Sequence, residues 1–308
     1  MWKPPLFPIL AAVRSFRRIA EATHQRSFAK RHRLSYLPAI AVSAFIALSF
    51  LVATSARADG DEAHSEFYRV PGQGIGLVTE GVGLATRSEG VRESGTIQIA
   101  GVPAGATIIS AHLYWVIFAL APNPAMTFQS APVTAEHIGA SANTCWPNWS
   151  AASLNHVYRA DVTAQVSGNG AYTVADFPSG PAGTDTQGAS LVVLYYDPAQ
   201  PRVGSVIVRD GAITKGENGA VSDTYTNLNV PELEAAWLHM GVGDGQVLTD
   251  PNLSFHVQGI SFMNLGLPNR PNGPFIGEDG FNWDDLRFNV QPRLNNVGPT
   301  TARWQTSA

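Results

Sequence analysis

The 308-residue chain has a single cysteine, Cys145, so no disulfide can form within it. A domain of about 250 residues needs none, because it buries roughly three quarters of the surface that its unfolded chain exposes. Lysine is almost missing too. Beyond residue 58 only Lys215 remains, and the residues from Asp59 onward carry 11 basic against 23 acidic side chains, a net charge of −12. Such a surface repels phosphate backbones and excludes nucleic acid as a partner.

Several chemical signatures are also lacking. "GQGIGLVTEG" holds Gly72, Gly74, Gly76 and Gly81, yet no G-x-G-x-x-G leads into a helix and no G-K-[ST] follows, which argues against a nucleotide. The histidines beyond residue 58 stand singly, with no H-E-x-x-H, and give zinc no local ligand set. G-x-S-x-G is absent. Ser190, His156 and Asp161 make only the sort of trio that any chain of this length contains, and Cys145, in "NTCWPNW", has no histidine near it in sequence to act as its base.

One long apolar run is present. Nine basic residues and one acid, Glu21, precede residue 59, and "KRHR" leads into "LSYLPAIAVSAFIALSFLVA", then "TSARADG". A positive region, an apolar region and an Ala-x-Ala site form a secretory signal peptide with cleavage after Ala58. Pro38 and the small residues Ala56 and Ala58 favour cleavage over the alternative, a retained membrane anchor. Arg17-Arg18 lies too far upstream of the apolar run for twin-arginine export, and a start codon set too far upstream explains the long basic region more simply. The reading is residues 1–58 as signal segment and 59–308 as one domain.

Within 59–308 glycine and proline punctuate segments rich in Val, Ile, Thr and aromatics, and no long amphipathic helix stands out. This predicts an all-β chain, a single antiparallel β-sandwich of jelly-roll or immunoglobulin-like type. "GTIQIAGVP" alternates at Ile97 and Ile99. In "ATIISAHLYWVIFAL", Ile109, Ala111, Leu113 and Trp115 share one face, with His112 and Tyr114 on the other. Asn169-Gly170 is a tight-turn signal that makes the strands on either side of it neighbours. "ASLVVLYYD" (189–197) is apolar on both parities, so both of its faces are expected to be covered. "DPAQPR" then turns the chain, since Pro198 and Pro201 cannot donate to a ladder, and "VGSVIVRDG" follows as the partner strand, ending at Asp210-Gly211. "VPELEAAWLHM" reads equally as helix or strand.

Acids gather late in the chain. "GEDGFNWDDL" places Glu278, Asp279, Asp284 and Asp285 within eight residues, and "VGDGQ" adds Asp244. Carboxylates on a glycine-rich loop suit calcium, though the spacing is not that of an EF-hand; a solvated acidic turn is the plainer reading. No other cofactor is expected. Paired carboxylates in this region, with Trp115, Trp146, Trp149, Trp237, Trp283 and Trp304 as lining, would also serve a glycoside hydrolase or lyase, or a glycan-binding surface. Core packing accounts for most tryptophans.

Taken in order, "VPAGATIISAHLYW" (102–115), "CWPNWSAASLNHVYRADVTAQVSGNGAYTV" (145–174), "GASLVVLYYDPAQPRVGSVIVRDGA" (188–212) and "GFNWDDLRFNV" (280–290) resemble secreted or surface bacterial β-sandwich domains of unknown function, found in adhesin-like and repeat-containing proteins. The resemblance implies an extracytoplasmic sandwich and carries over no catalytic residues. In that family another cysteine can stand in a final strand; here "TTARWQTSA" has none, so either Cys145 is unpaired or a last strand is missing, leaving an edge open to strand addition. The expectation is an exported, non-enzymatic adhesion or interaction module at the cell surface, outside the cell or in the periplasm. Its partner would be an envelope or matrix protein or a glycan, and the membrane only if the N-terminal segment stays as an anchor.

Overall fold

The structure, a computed structural model, describes residues 5–13, 62–85, 94–142, 153–178, 184–214, 220–230, 235–244, 252–257, 261–265, 273–280, 282–295 and 297–306. The apolar run at 34–53, Ala58, Cys145, Trp146 and Trp149 lie outside the described residues.

Among the described residues the chain is all-β, with strands numbered in chain order and paired antiparallel in four sheets. The first sheet runs β3 (Ile75–Gly83), β11 (Asp185–Tyr196), β5 (Thr107–Ala119), β9 (Leu154–Asp161), β8 (Glu136–Ala142). The second runs β4 (Ser94–Ile99), β10 (Gly170–Ala175), β6 (Thr127–Phe128), β7 (Ala131–Pro132). The third runs β17 (Trp283–Asn289), β14 (Ala235–Gly243), β1 (Pro5–Val13), β12 (Val203–Thr214), β2 (Glu62–Gln73). The fourth runs β13 (Ser222–Val230), β18 (Gly298–Thr306), β15 (Leu253–Val257), β16 (Ser261–Asn264). Among the described residues helix is confined to short turns at Thr163–Gln165 and Gln291–Leu294, and none is long and apolar enough to cross a membrane.

Alternation along the strands decides which sheet faces which. On β11, Ala189, Leu191 and Val193 enter one core with Ile97 and Ile99 of β4, Trp115 of β5 and Tyr172 of β10. Val192 and Leu194, on the opposite parity, meet Val206 and Val208 of β12. Both faces of "ASLVVLYYD" are thus covered, as its unbroken apolar run predicts. The far face of the third sheet presents Ile207, Leu238, Met240 and Val242 to Tyr225, Phe255 and Trp304 of the fourth. Each fully buried side chain of this kind contributes about 1.5–3 kcal/mol of transfer free energy.

Three local expectations are corrected. Asn169-Gly170 does not join two paired strands: β10 pairs with β4 and β6, while β9 pairs with β5 and β8. Asn169 is instead used as a surrogate backbone unit, its amide accepting from Val102 N and donating to Val102 O, both at 2.8 Å. Nor does β12 pair with β11. The prolines end the first ladder so thoroughly that the chain crosses to another sheet, and the two strands meet face to face instead. Asp210-Gly211 is a register shift within β12, which continues to Thr214. The ambiguous "VPELEAAWLHM" is strand from Ala235.

Candidate functional site

The layer between the first and third sheets holds polar groups beside the apolar cluster of Val192, Leu194, Val206 and Val208. One close approach across it, and one between neighbouring strands of the first sheet, depend on glycine. Trp283 lies flat on Gly188, where a Cβ would come within 2.4 Å of its ring, and Tyr195 lies on Gly76, where a Cβ would stand 2.3 Å from Cζ. Only glycine leaves room for a ring at these points. The Trp283 indole N–H donates to Ser190 Oγ at 3.0 Å.

Period two on β14 and β17 puts Trp237 and His239, and Asp285 and Arg287, on the face toward β3; His239 and Arg287 are directly opposite in register. The Thr79 hydroxyl of β3 donates to Asp285 Oδ1 at 2.6 Å and lies 2.9 Å from His239 Nδ1. When Asp285 is ionised the Thr79 proton goes to the carboxylate and His239 donates Nδ1–H to the hydroxyl, which leaves Nε2 as the acceptor of the ring. Burial, with the Arg287 charge second, holds the His239 imidazole down at about 3, neutral across the physiological range. Asp285 is pushed up to about 7 by burial, opposed by hydrogen bonds from Ser190 and Thr79 and assisted by the charges of Asp279 and Glu80.

His239 lines a cavity of about 180 Å³ together with Trp237, Arg287, Tyr195, Asp197 and Arg202. Its rim is fixed by backbone: Gly74 N–H donates to Arg202 O at 2.9 Å, and Asp197 N–H to Gly74 O at 2.8 Å. The Arg287 guanidinium sits 3.7 Å from the Trp237 ring centroid, a cation–π contact that holds the exposed cation over the pocket wall. Burial raises the Tyr195 phenol above its usual range, and Asp197 adds to this. The pocket therefore offers a fixed cation, a neutral imidazole, a protonated phenol and an aromatic wall: groups that bind a polar ligand. A base held near 3 is a poor proton carrier at neutral pH.

The acids singled out from the sequence lie near the start of β17 but do not converge. Asp284 and Asp285 are consecutive on a strand and face opposite ways. The Asp284 carboxylate accepts from the backbone N–H groups of Ile276, Gly277 and Glu278 at 3.3, 2.9 and 2.9 Å, so it organises the preceding loop; burial pushes it up to about 6 against those donors. Asp279 accepts the Asp285 N–H, and burial raises it. Glu278 is exposed, and Asp244 is buried with its N–H on Asn282 O at 2.6 Å. Among the described residues no group of three or more His, Cys, Asp or Glu is placed to hold a metal ion.

Ser190, His156 and Asp161 are likewise apart. Ser190 belongs to the Trp283 contact, His156 lies against His137 with ring nitrogens 3.1 Å apart, and Asp161 caps the Thr163 N–H at 2.9 Å. Trp115, Trp283 and Trp304 are core residues, and among the described tryptophans Trp237 lines the pocket. Thr79, Tyr195, His239 and Arg287 were not legible as a site, because what joins them is strand register between distant segments. The alternation of Trp283, Asp285 and Arg287 was their nearest signal.

A second polar knot lies in the same layer. Arg159 bonds Asp210 and Glu136, Tyr114 donates to Asp210 at 3.1 Å, and the Arg159 guanidinium sits 3.4 Å from the Phe67 ring centroid. Burial raises Asp210 despite the arginine beside it.

Comparison of the chain with protein-family models, with curated proteins and with solved structures finds no match.

Proposed function

We propose that this chain is an exported, non-enzymatic β-sandwich module, jelly-roll or immunoglobulin-like in type, that docks an envelope or matrix protein or a glycan at or beyond the cell surface. The observation that carries the reading is the pocket at Trp237, His239 and Arg287. It combines a stacked cation with an imidazole held neutral, an arrangement suited to holding a polar group and ill suited to moving a proton. The leader pattern supports export.

A hydrolase or lyase built on the acids at 278–285 has less support. Asp284 is engaged by three backbone amides, and Trp283, needed at a cleft, is 1% exposed. The test is a glycan array and envelope-protein binding with the wild type and with Trp237→Ala. Binding lost in the variant with the melting temperature kept supports the pocket; equal binding by both proteins moves the docking surface elsewhere.

A further inference from the structure

The third sheet has a lane at its centre. β12 and β14 do not pair with each other; β12 pairs outward with β2, and β14 outward with β17. Between them runs Pro5–Val13, antiparallel to both. The walls are core: Val206, Ile207 and Val208 on one side, Ala236, Leu238, Met240 and Val242 on the other, all at 0% exposure.

The resident strand fits this lane poorly. Its ladder to β14 runs unbroken from Leu6 to Val13, but its ladder to β12 slips between Leu6 and Ile9, across Phe7 and Pro8. Proline has no N–H to give, and in a sheet it belongs on edges and at bulges. Prolines at positions 5 and 8 give a central strand no N–H to offer at those places, beside walls that are fully buried. The same residues lie inside the segment whose pattern reads as a leader removed after Ala58.

We propose that in the exported protein the lane between β12 and β14 takes an extended strand from a partner polypeptide, in place of Pro5–Val13. This rests on the export reading and goes beyond the pocket: it is a second docking element, of a different kind. The register specifies the guest. It runs antiparallel to both walls over eight or so residues, free of proline, since each backbone group must find a partner on both sides. Between Ile207 and Leu238, where Leu10 stands, it carries a large aliphatic side chain; between Val208 and His239, where Ile9 stands, another apolar one. Apolar residues on both parities set this guest apart from an ordinary edge strand, because the lane is covered by a sheet on each face.

The experiment uses the protein recovered from the exporting cell, its N-terminus read by intact mass. The probe is a labelled peptide of residues 5–13 with valine at both proline positions and a soluble lysine tail, followed by fluorescence anisotropy and amide exchange. The expected result is saturable, slow binding with exchange protection gained at 205–208 and 236–242, and about tenfold weaker binding when proline is restored at the Pro8 position, the loss of one ladder hydrogen bond. Absence of new protection in those two stretches overturns the proposal. So does equal binding of the proline peptide, or a dimer in which both stretches are already protected without peptide. If the recovered protein still begins at Met1, the cleavage reading fails on its own, and the peptide must then displace Pro5–Val13 with the same protection or the lane fails as well. Loss of glycan binding in Trp237→Ala is a separate readout and leaves the lane untouched.

Discussion

Trp283 lies flat against Gly188, with its indole N–H on Ser190 Oγ at 3.0 Å. That contact brings β17 down onto β11 and sets the depth of the polar layer between the first and third sheets. A methyl group at Gly188 has nowhere to go, since the nearest ring atom would be 2.4 Å away. Gly188→Ala is expected to lower stability by about 3 kcal/mol, the upper end for overpacking. Urea unfolding checks this: the midpoint should fall with the slope unchanged.

The carboxylates beside it give a pH signature. Asp285 and Asp284 are raised to about 7 and about 6, so in the folded protein they keep protons that the unfolded chain has released by about pH 4. Their effect is stability that is full below about pH 4 and lost as pH rises through 6 and 7. His239 is lowered to about 3, so its contribution is present above about 6.5 and lost as pH falls toward 3. The two oppose each other between about pH 4 and 6.5, and above that only the aspartates act. Melting temperature should therefore fall between pH 6.5 and 8. Asp285→Asn, which keeps the acceptor for Thr79, should flatten that fall.

Asp284 is predicted to be a loop anchor. Asp284→Ala strands three backbone donors of residues 276–278 and should cost about 2–3 kcal/mol. With its oxygens on amides, the acidic segment should melt at the same temperature in calcium and in chelator. A rise in calcium that is lost in Asp284→Ala would instead make it a metal site.

At the other end of the layer, Arg159→Leu leaves Asp210 buried without its cation and should cost about 3–5 kcal/mol. Replacing both, Arg159→Leu with Asp210→Leu, should recover most of the loss. A double-mutant cycle by thermal denaturation gives the coupling directly.

The strands were legible where one chain segment decides its own fate. "ASLVVLYYD" is apolar on both parities because both faces are covered, and Ile97 and Ile99 alternate because one face is. Pairing was not legible where it depends on segments far apart. Asn169-Gly170 carries the composition of a hairpin turn, yet Asn169 spends its amide on Val102, and the strand after it finds β4 and β6. Pro198 and Pro201 marked the end of a ladder without saying that the chain would change sheets. The pocket was hidden for the same reason: Thr79, Tyr195, His239 and Arg287 come from four strands, and no spacing in sequence encodes a register.

The proposed role of the Trp237–His239–Arg287 pocket is binding without chemistry. Calorimetry with the best array ligand, for the wild type and for Arg287→Ala, followed by mass analysis of the ligand after prolonged incubation, tests it most directly. The expected result is at least about a tenfold loss of affinity in the variant, the worth of one charge-assisted contact, and a ligand recovered intact. Unchanged affinity, or a cleaved ligand, contradicts it.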